Sequence, residues 1–103
     1  MAKMNIIWTK PALDDLNEIA EYIGLDNPTA AKVLVQTIFD KIERLSTFPE
    51  SGRVPPELPQ LSYREVVISP CRIFYKIENN EIIVLFVMRE ERDLRKFLLK
   101  AQQ

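Results

Sequence analysis

The sequence predicts an α+β domain: a small antiparallel β-sheet with an N-terminal helical hairpin packed on one face and a short C-terminal helix. Three observations predict it. Up to Phe48 the chain carries two successive apolar stripes at helical spacing, each opened by a capping residue and a proline. Residues 49–59 then hold Pro49, Gly52, Pro55, Pro56 and Pro59, which suits neither helix nor central strand. Beyond that break the residues are strand-forming, with Asn79-Asn80 between two apolar runs. A chain of 103 residues suits a single domain, expected to occupy 1–103.

Taken in order, Asn5–Trp8 (NIIW) reads as a short strand. Thr9 is placed as an N-cap with Pro11 in the first helical turn, where a missing N–H costs nothing. Ala12, Leu16, Ile19 and Ile23 then form a stripe, with Gly24 as the expected stop. Asp14, Asp15, Glu18 and Glu21 take the other positions and read as a solvated acidic face. Asn27-Pro28 restarts a helix as cap and first residue. Ala31, Leu34 or Val35, Ile38, Ile42 and Leu45 supply its stripe, and Pro49 disfavours helix at Phe48. Three strands are predicted next, at Leu61–Ser69, Cys71–Glu78 and Glu81–Met88. Glu91–Lys100 is predicted as a terminal helix with Leu94, Phe97 and Leu98 facing inward.

Composition excludes several classes of function. The net charge is −1, with residues 1–50 acidic (five Lys or Arg against eight Asp or Glu) and 51–103 slightly basic (nine against seven). That balance leaves room for a local basic site but not for a surface built to track a nucleic-acid backbone. Histidine, the commonest acid–base group near neutral pH, is absent. The single Cys71 allows no internal disulfide, and no cysteine or histidine cluster offers a metal site. No cofactor is indicated. The longest strongly apolar run, Ile82–Met88, is far shorter than the ~20 residues of a membrane span. No signal-peptide core precedes the first strand, so a cytoplasmic protein is expected.

Arginines interrupt the strand-forming region and call for a reason. An Asn-Asn turn of two residues sets Glu78 opposite Glu81, Tyr75 opposite Val84 and Arg72 opposite Val87. Cys71, Ile73, Tyr75 and Ile77 then share a face with Ile82, Val84, Phe86 and Met88, and that uncharged face is assigned to the helical hairpin. The second face carries Arg72, Phe74 and Lys76 with Ile83, Leu85, Val87 and Arg89. Arg72 and Arg89 become diagonal neighbours there, either neutralised by Glu90, Glu91 or Asp93 or poised to bind an anion. Arg64 joins the same face unless the Ser69-Pro70 turn shifts its strand by one residue. The mixed face reads as a groove for a partner peptide. On this reading Arg72→Ala leaves the fold intact and weakens function.

The stretches "IIWTKPALDDLNEIAEYI", "NPTAAKVLVQTIFDKIERLSTFPESGR", "PEL", "YREVVISPCRIFYKI" and "IIVLFVMREERD" cover nearly the whole chain. Together, in this order and spacing, they resemble the RelE/ParE superfamily of toxins from type II toxin–antitoxin modules, formerly called plasmid-stabilisation proteins. The resemblance implies a small sheet with a helical hairpin on one side, in agreement with the pattern above. It also implies a toxin held inactive by a cognate antitoxin. RelE-like members cut messenger RNA on the ribosome, using basic and aromatic side chains around the ribose 2′-hydroxyl and the scissile phosphate. ParE-like members inhibit DNA gyrase by protein–protein contact.

Residue by residue, the resemblance puts Arg64 of "YRE" where RelE-like toxins carry a basic strand residue, and Arg72 of "CRIFY" where a strand arginine contacts phosphate. Arg89 stands where many members have histidine, and Arg92 matches the closing arginine of the same segment. These four would be the site of a nuclease. Read as a contact face for target or antitoxin, the set is Arg64, Arg72, Phe74, Leu85, Val87, Arg89 and Arg92. The departures matter: no histidine, no tyrosine after Tyr75, and Val66 and Ile68 where nucleases tend to be basic. Arginine stays protonated and is a poor proton shuttle, which leaves only Glu65 or Glu90 as a base. Cys71 replaces a common tyrosine and reads as buried filler. The resemblance therefore implies a ParE-like toxin acting on gyrase, with an RNA-cleaving toxin or a degenerate, non-toxic binding partner as alternatives.

Overall fold

The computed structural model describes residues 3–101, apart from the side chains of Arg95, Lys100 and Ala101. Its elements follow the order β1 (Asn5–Trp8), α1 (Lys10–Asp26), α2 (Pro28–Glu43), β2 (Arg64–Ile68), β3 (Cys71–Glu78), β4 (Glu81–Arg89) and α3 (Leu94–Ala101), with a 3₁₀ turn at Arg44–Ser46. The four strands form one sheet in the order β1-β4-β3-β2. Among the described residues, no helix is long and apolar enough to cross a membrane.

Local chemistry accounts for the element ends. The Thr9 hydroxyl accepts the Ala12 N–H at the start of α1, and the Asn27 side chain accepts the Ala30 N–H at the start of α2. Asn27 also donates its own N–H to the Ile23 carbonyl, so it closes one helix and opens the next. This is why α1 runs through Gly24, the expected stop, to Asp26. The strand predicted from Leu61 begins only at Arg64, because Leu58 and Leu61 are still held in turns through Pro55 and Leu58 carbonyls. The terminal helix, expected from Glu91, starts at Leu94, where the Asp93 carboxylate caps the Lys96 N–H. Asn79 and Asn80 both adopt positive φ, 51° and 60°, as a two-residue hairpin turn between right-twisted strands requires.

The helical hairpin covers one face of the sheet. Ala12, Leu16, Leu34, Ile38 and Ile42 pack there against Ile73, Tyr75, Ile82, Val84 and Val87. The other face is not bare. Phe74 and Met88 lie under Leu94, with Leu58, Phe86, Phe97 and Leu98 around them, and the Phe74 and Phe86 rings stack at 4.6 Å. The second face, expected to await a partner peptide, is thus covered around Phe74 and Met88 by the chain's own α3 and Leu58, while Lys76 and Phe86 stay half-buried. β1 pairs parallel with β4, while the other pairings are antiparallel.

One irregularity changes the expected register. The pairing from Glu78↔Glu81 to Tyr75↔Val84 is as the Asn-Asn turn dictates, but Phe74 then faces Phe86, so Leu85 is an extra residue in β4. Beyond this β-bulge Ile73 faces Val87, Arg72 faces Met88 and Cys71 faces Arg89. Val87 and Arg89 therefore stand on the helical side, and Phe86 and Met88 on the side of α3, the reverse of the expected assignment. Arg72 and Arg89 occupy opposite faces of the sheet. On the other edge Arg64 faces Tyr75, which puts it on the helical side as well.

Candidate functional site: a groove around Arg89 and a closed Arg72 network

Arg72 does not wait for an anion. It is almost fully buried, and its Nη1 and Nη2 bind both oxygens of Glu57 at 2.7 and 2.9 Å. Its Nε and Nη2 also bind Glu65 Oε2. Glu65, at 1% exposure, accepts from Arg53 Nε at 2.6 Å through its other oxygen. The four side chains form an alternating chain, Arg53–Glu65–Arg72–Glu57, in which every buried charge has an opposite neighbour. Glu57 and then Glu65 raise the Arg72 guanidinium above its ordinary pKa, and Arg72 holds the Glu57 carboxyl below the usual carboxylate range. At Arg72 the acids expected as partners, Glu90, Glu91 and Asp93, are not the ones used. The real partners come from the proline-rich loop and the edge strand, brought over the second face by folding.

The Glu57 pairing has a pH consequence. A carboxyl whose folded pKa is depressed stabilises the fold above its unfolded pKa, and that contribution is lost as pH falls through the folded value. Unfolding stability measured by urea titration should therefore decline as pH drops below ~4.3, the ordinary glutamate value. Glu57→Gln should flatten that decline; an unchanged slope would mean the pairing is not maintained in solution.

The loop itself is fixed by Tyr75. Its phenol, on a fully buried side chain, donates to the Pro49 carbonyl at 2.7 Å and accepts the Gly52 N–H at 3.0 Å. Burial, the larger effect, raises its pKa, while the Gly52 N–H acts to lower it. Arg53 pairs its backbone with Glu65 at 3.0 and 2.8 Å, and Arg64 Nη1 donates to the Glu50 and Gly52 carbonyls. The "FPESGR" stretch is thus a structural clamp, and Arg64 is part of it. Cys71 is buried, and burial pushes its thiol up to about 11, so it is a neutral core side chain at pH 7.

Arg89 and Arg92 come together elsewhere. They line a groove of about 440 Å³ between α1, the end of β4 and α3, with Asp15, Glu18 and Tyr22 on the helical wall. The Arg89 guanidinium lies over the Tyr22 ring, 5.3 Å from its centroid. Its Nε sits 2.7 Å from Glu91 Oε1, but the N–H is out of line and has no hydrogen-bond acceptor among the described residues. The ion pair with Glu91 keeps part of the expected neutralisation. Arg92 is exposed. Tyr22 is 65% exposed, so the groove presents an aromatic ring, two guanidiniums and three carboxylates to whatever enters.

Of the residues predicted for the site, Arg89 and Arg92 meet in this groove with Val87 in its lining, while Arg72 lies over the Phe74 ring elsewhere. Arg72 and Phe74 are buried on the opposite face, because Glu57, Glu65 and α3 cover them. Val87 is buried beneath the hairpin, because the bulge turns it there, and Leu85 is half-buried. Sequence reasoning missed Asp15, Glu57 and Tyr22 as members of these clusters. Asp15 and Tyr22 carry no local signal, since their partners lie more than sixty residues away; Glu57 sits in a loop whose path no periodicity fixes. Among the described residues no cluster of histidine, cysteine or carboxylate side chains could hold a metal ion.

Comparison with known proteins now identifies the family. Residues 6–94 match the family described as "ParE toxin of type II toxin-antitoxin system, parDE". The chain belongs to the ParE toxin family. It is 38% identical over 90 residues to Y4kP, named as a candidate toxin of Sinorhizobium fredii, covering 85% of this chain and 90% of that one. It is 35% identical over 65 residues to the toxin RelE2 of Caulobacter vibrioides, covering 63% of this chain and 69% of the relative. Among solved structures it resembles a chain of the chromosomal ParDE toxin–antitoxin system of P. aeruginosa, with TM-score 0.73 and 26% identity over 86% of this chain and 98% of that one. A chain of the RelBE2 toxin–antitoxin complex of Mycobacterium tuberculosis shares the fold, with TM-score 0.56 and 20% identity over 84% and 98% of the two chains. The α+β architecture predicted from sequence is that of this ParE/RelE group.

Proposed function

We propose that this ParE-family toxin arrests growth by binding DNA gyrase as a protein, without chemistry of its own, and that a cognate antitoxin neutralises it. The observation that carries this reading is the closed state of Arg72. The strand arginine best suited to grip a phosphate is already held by two carboxylates. The Tyr75 phenol is engaged on both sides, the chain has no histidine, and Glu65 is locked between two arginines. A proton shuttle beside a bound phosphate is what RNA cleavage needs, and these side chains do not supply one. The ParE family match and the likeness to a ParDE structure support the same reading, and such a likeness also favours an antitoxin partner.

In this reading the groove of Arg89, Arg92 and Tyr22 contacts the target or the antitoxin. Arg64, Arg72, Phe74 and Val87 serve the fold. The deciding experiment is expression of the toxin without antitoxin, paired with a gyrase supercoiling assay on the purified protein. Filamentation, a DNA-damage response and loss of supercoiling are expected. Immediate translation arrest with codon-linked mRNA cuts would establish the RNA-cleaving alternative instead, and normal growth at full expression would mark a non-toxic binding partner.

A further inference from the structure

Among the described residues β1 pairs with β4 from Glu81 to Val84, and from Leu85 onward no strand lies beside β4 on that edge. An open edge leaves backbone groups that need partners once covered. Two side chains of the α1 segment supply them. The Thr9 hydroxyl lies 2.8 Å from the Val84 carbonyl and 3.2 Å from that of Leu85, and the Thr9 N–H also reaches Val84 at 3.2 Å. Asp15 Oδ2 accepts the Val87 N–H at 3.1 Å. These contacts bracket the bulged residue, Leu85, on both sides.

We propose that Asp15 is a positioning residue for Arg89: by holding the Val87 N–H at the open edge of β4 it fixes the bulge and so turns Arg89 into the groove. Regular pairing would set Arg72 opposite Val87 and place Arg89 on the Arg72 face, where two guanidiniums would share one side of the sheet. With the bulge held, Arg72 keeps Glu57 and Glu65, and Arg89 reaches Tyr22 and Glu91. Bulges re-aim side chains in this way. A carboxylate in a half-buried position is not the choice of a merely solvated helix face: burial, the larger effect, raises the Asp15 pKa, and the Val87 N–H works against that rise.

The test is amide hydrogen exchange by NMR on the full chain, reading Val87 against Tyr75 in the central strand β3. Asp15→Ala should speed Val87 exchange at least about ten-fold relative to Tyr75, since a ten-fold change is ~1.4 kcal/mol of local opening, the size of one hydrogen bond. Asp15→Asn, which keeps an oxygen acceptor, should restore most of the protection. Equal acceleration of both amides, or none at Val87, overturns the proposal. A second arm rests on the proposed toxic function: Asp15→Ala and Arg89→Ala should each weaken growth arrest, and together do no more than the stronger of the two. Additive losses overturn the coupling. If Arg89→Ala leaves arrest intact, the functional reading of the groove fails, and the positioning role stands or falls on the exchange result alone.

Discussion

Replacing Arg72 by alanine is expected to lower unfolding stability by about 3–5 kcal/mol, the range for removing one partner of a buried ion pair. Glu65 would keep only Arg53, whose side chain is 62% exposed, and Glu57 would lose its bidentate partner. The cost comes chiefly from the fully buried Glu65 carboxylate, which cannot return to water without a rearrangement around it. Urea denaturation of the variant measures it directly. Joint replacement of Arg72 by methionine and Glu65 by leucine should recover much of the loss, because an apolar pair of similar bulk needs no counter-charge. A loss below about 1 kcal/mol, the scale of an exposed pair, would show that the network is screened in solution. These contacts count against the expectation that Arg72→Ala spares the fold, and lost toxicity in that variant would follow from a weakened fold as readily as from a lost target contact.

Gly52→Ala is expected to destabilise by about 3 kcal/mol, from overpacking together with a lost hydrogen bond at a fully buried phenol. A β-carbon at Gly52 would lie 2.5 Å from the Tyr75 Oη, 2.7 Å from its Cε1 and 2.9 Å from the Glu65 carbonyl. Neither the ring nor that strand carbonyl can retreat: the ring is sealed in the core and the carbonyl is paired to Arg53. Gly24 supplies the control. An added β-carbon there meets only Ala31 at 3.7 Å, an ordinary contact, and the position is helical, so Gly24→Ala should be neutral or stabilising by up to ~1 kcal/mol. Thermal or urea unfolding of the two variants separates them. Equal effects would mean that Tyr75 and the Glu65 strand give way to the added carbon in solution.

These two expectations show how the weak sequence motif "FPESGR" acquires a reason. The proline and glycine announce a turn, and that much was legible. That Gly52 must admit a tyrosine from a strand more than twenty residues on was not, because nothing local to the loop names its neighbour. The arginines followed the same rule. Their presence among strand residues is plain in the sequence, yet their faces depend on whether β4 pairs regularly. The Asn-Asn turn fixed the pairing near itself, and one extra residue, Leu85, inverted everything beyond. The separation of Arg72 from Arg89 follows from that single residue.

By itself the sequence determined the elements whose causes lie within a few residues. Thr9, Asn27 and Asp93 cap helices by bonding three residues ahead; Asn79 and Asn80 accept the φ values their turn needs; and the apolar stripes of α1 and α2 face the sheet. Only the tertiary structure decided the parallel pairing of β1, the bulge, and which carboxylate meets which arginine. The Asp15–Val87 bond spans 72 residues and Arg72–Glu57 spans 15 across an irregular loop. Interactions of that reach depend on where the hairpin, the loop and α3 are brought to rest. At that point buried charges and open strand edges must find partners wherever the chain has placed them.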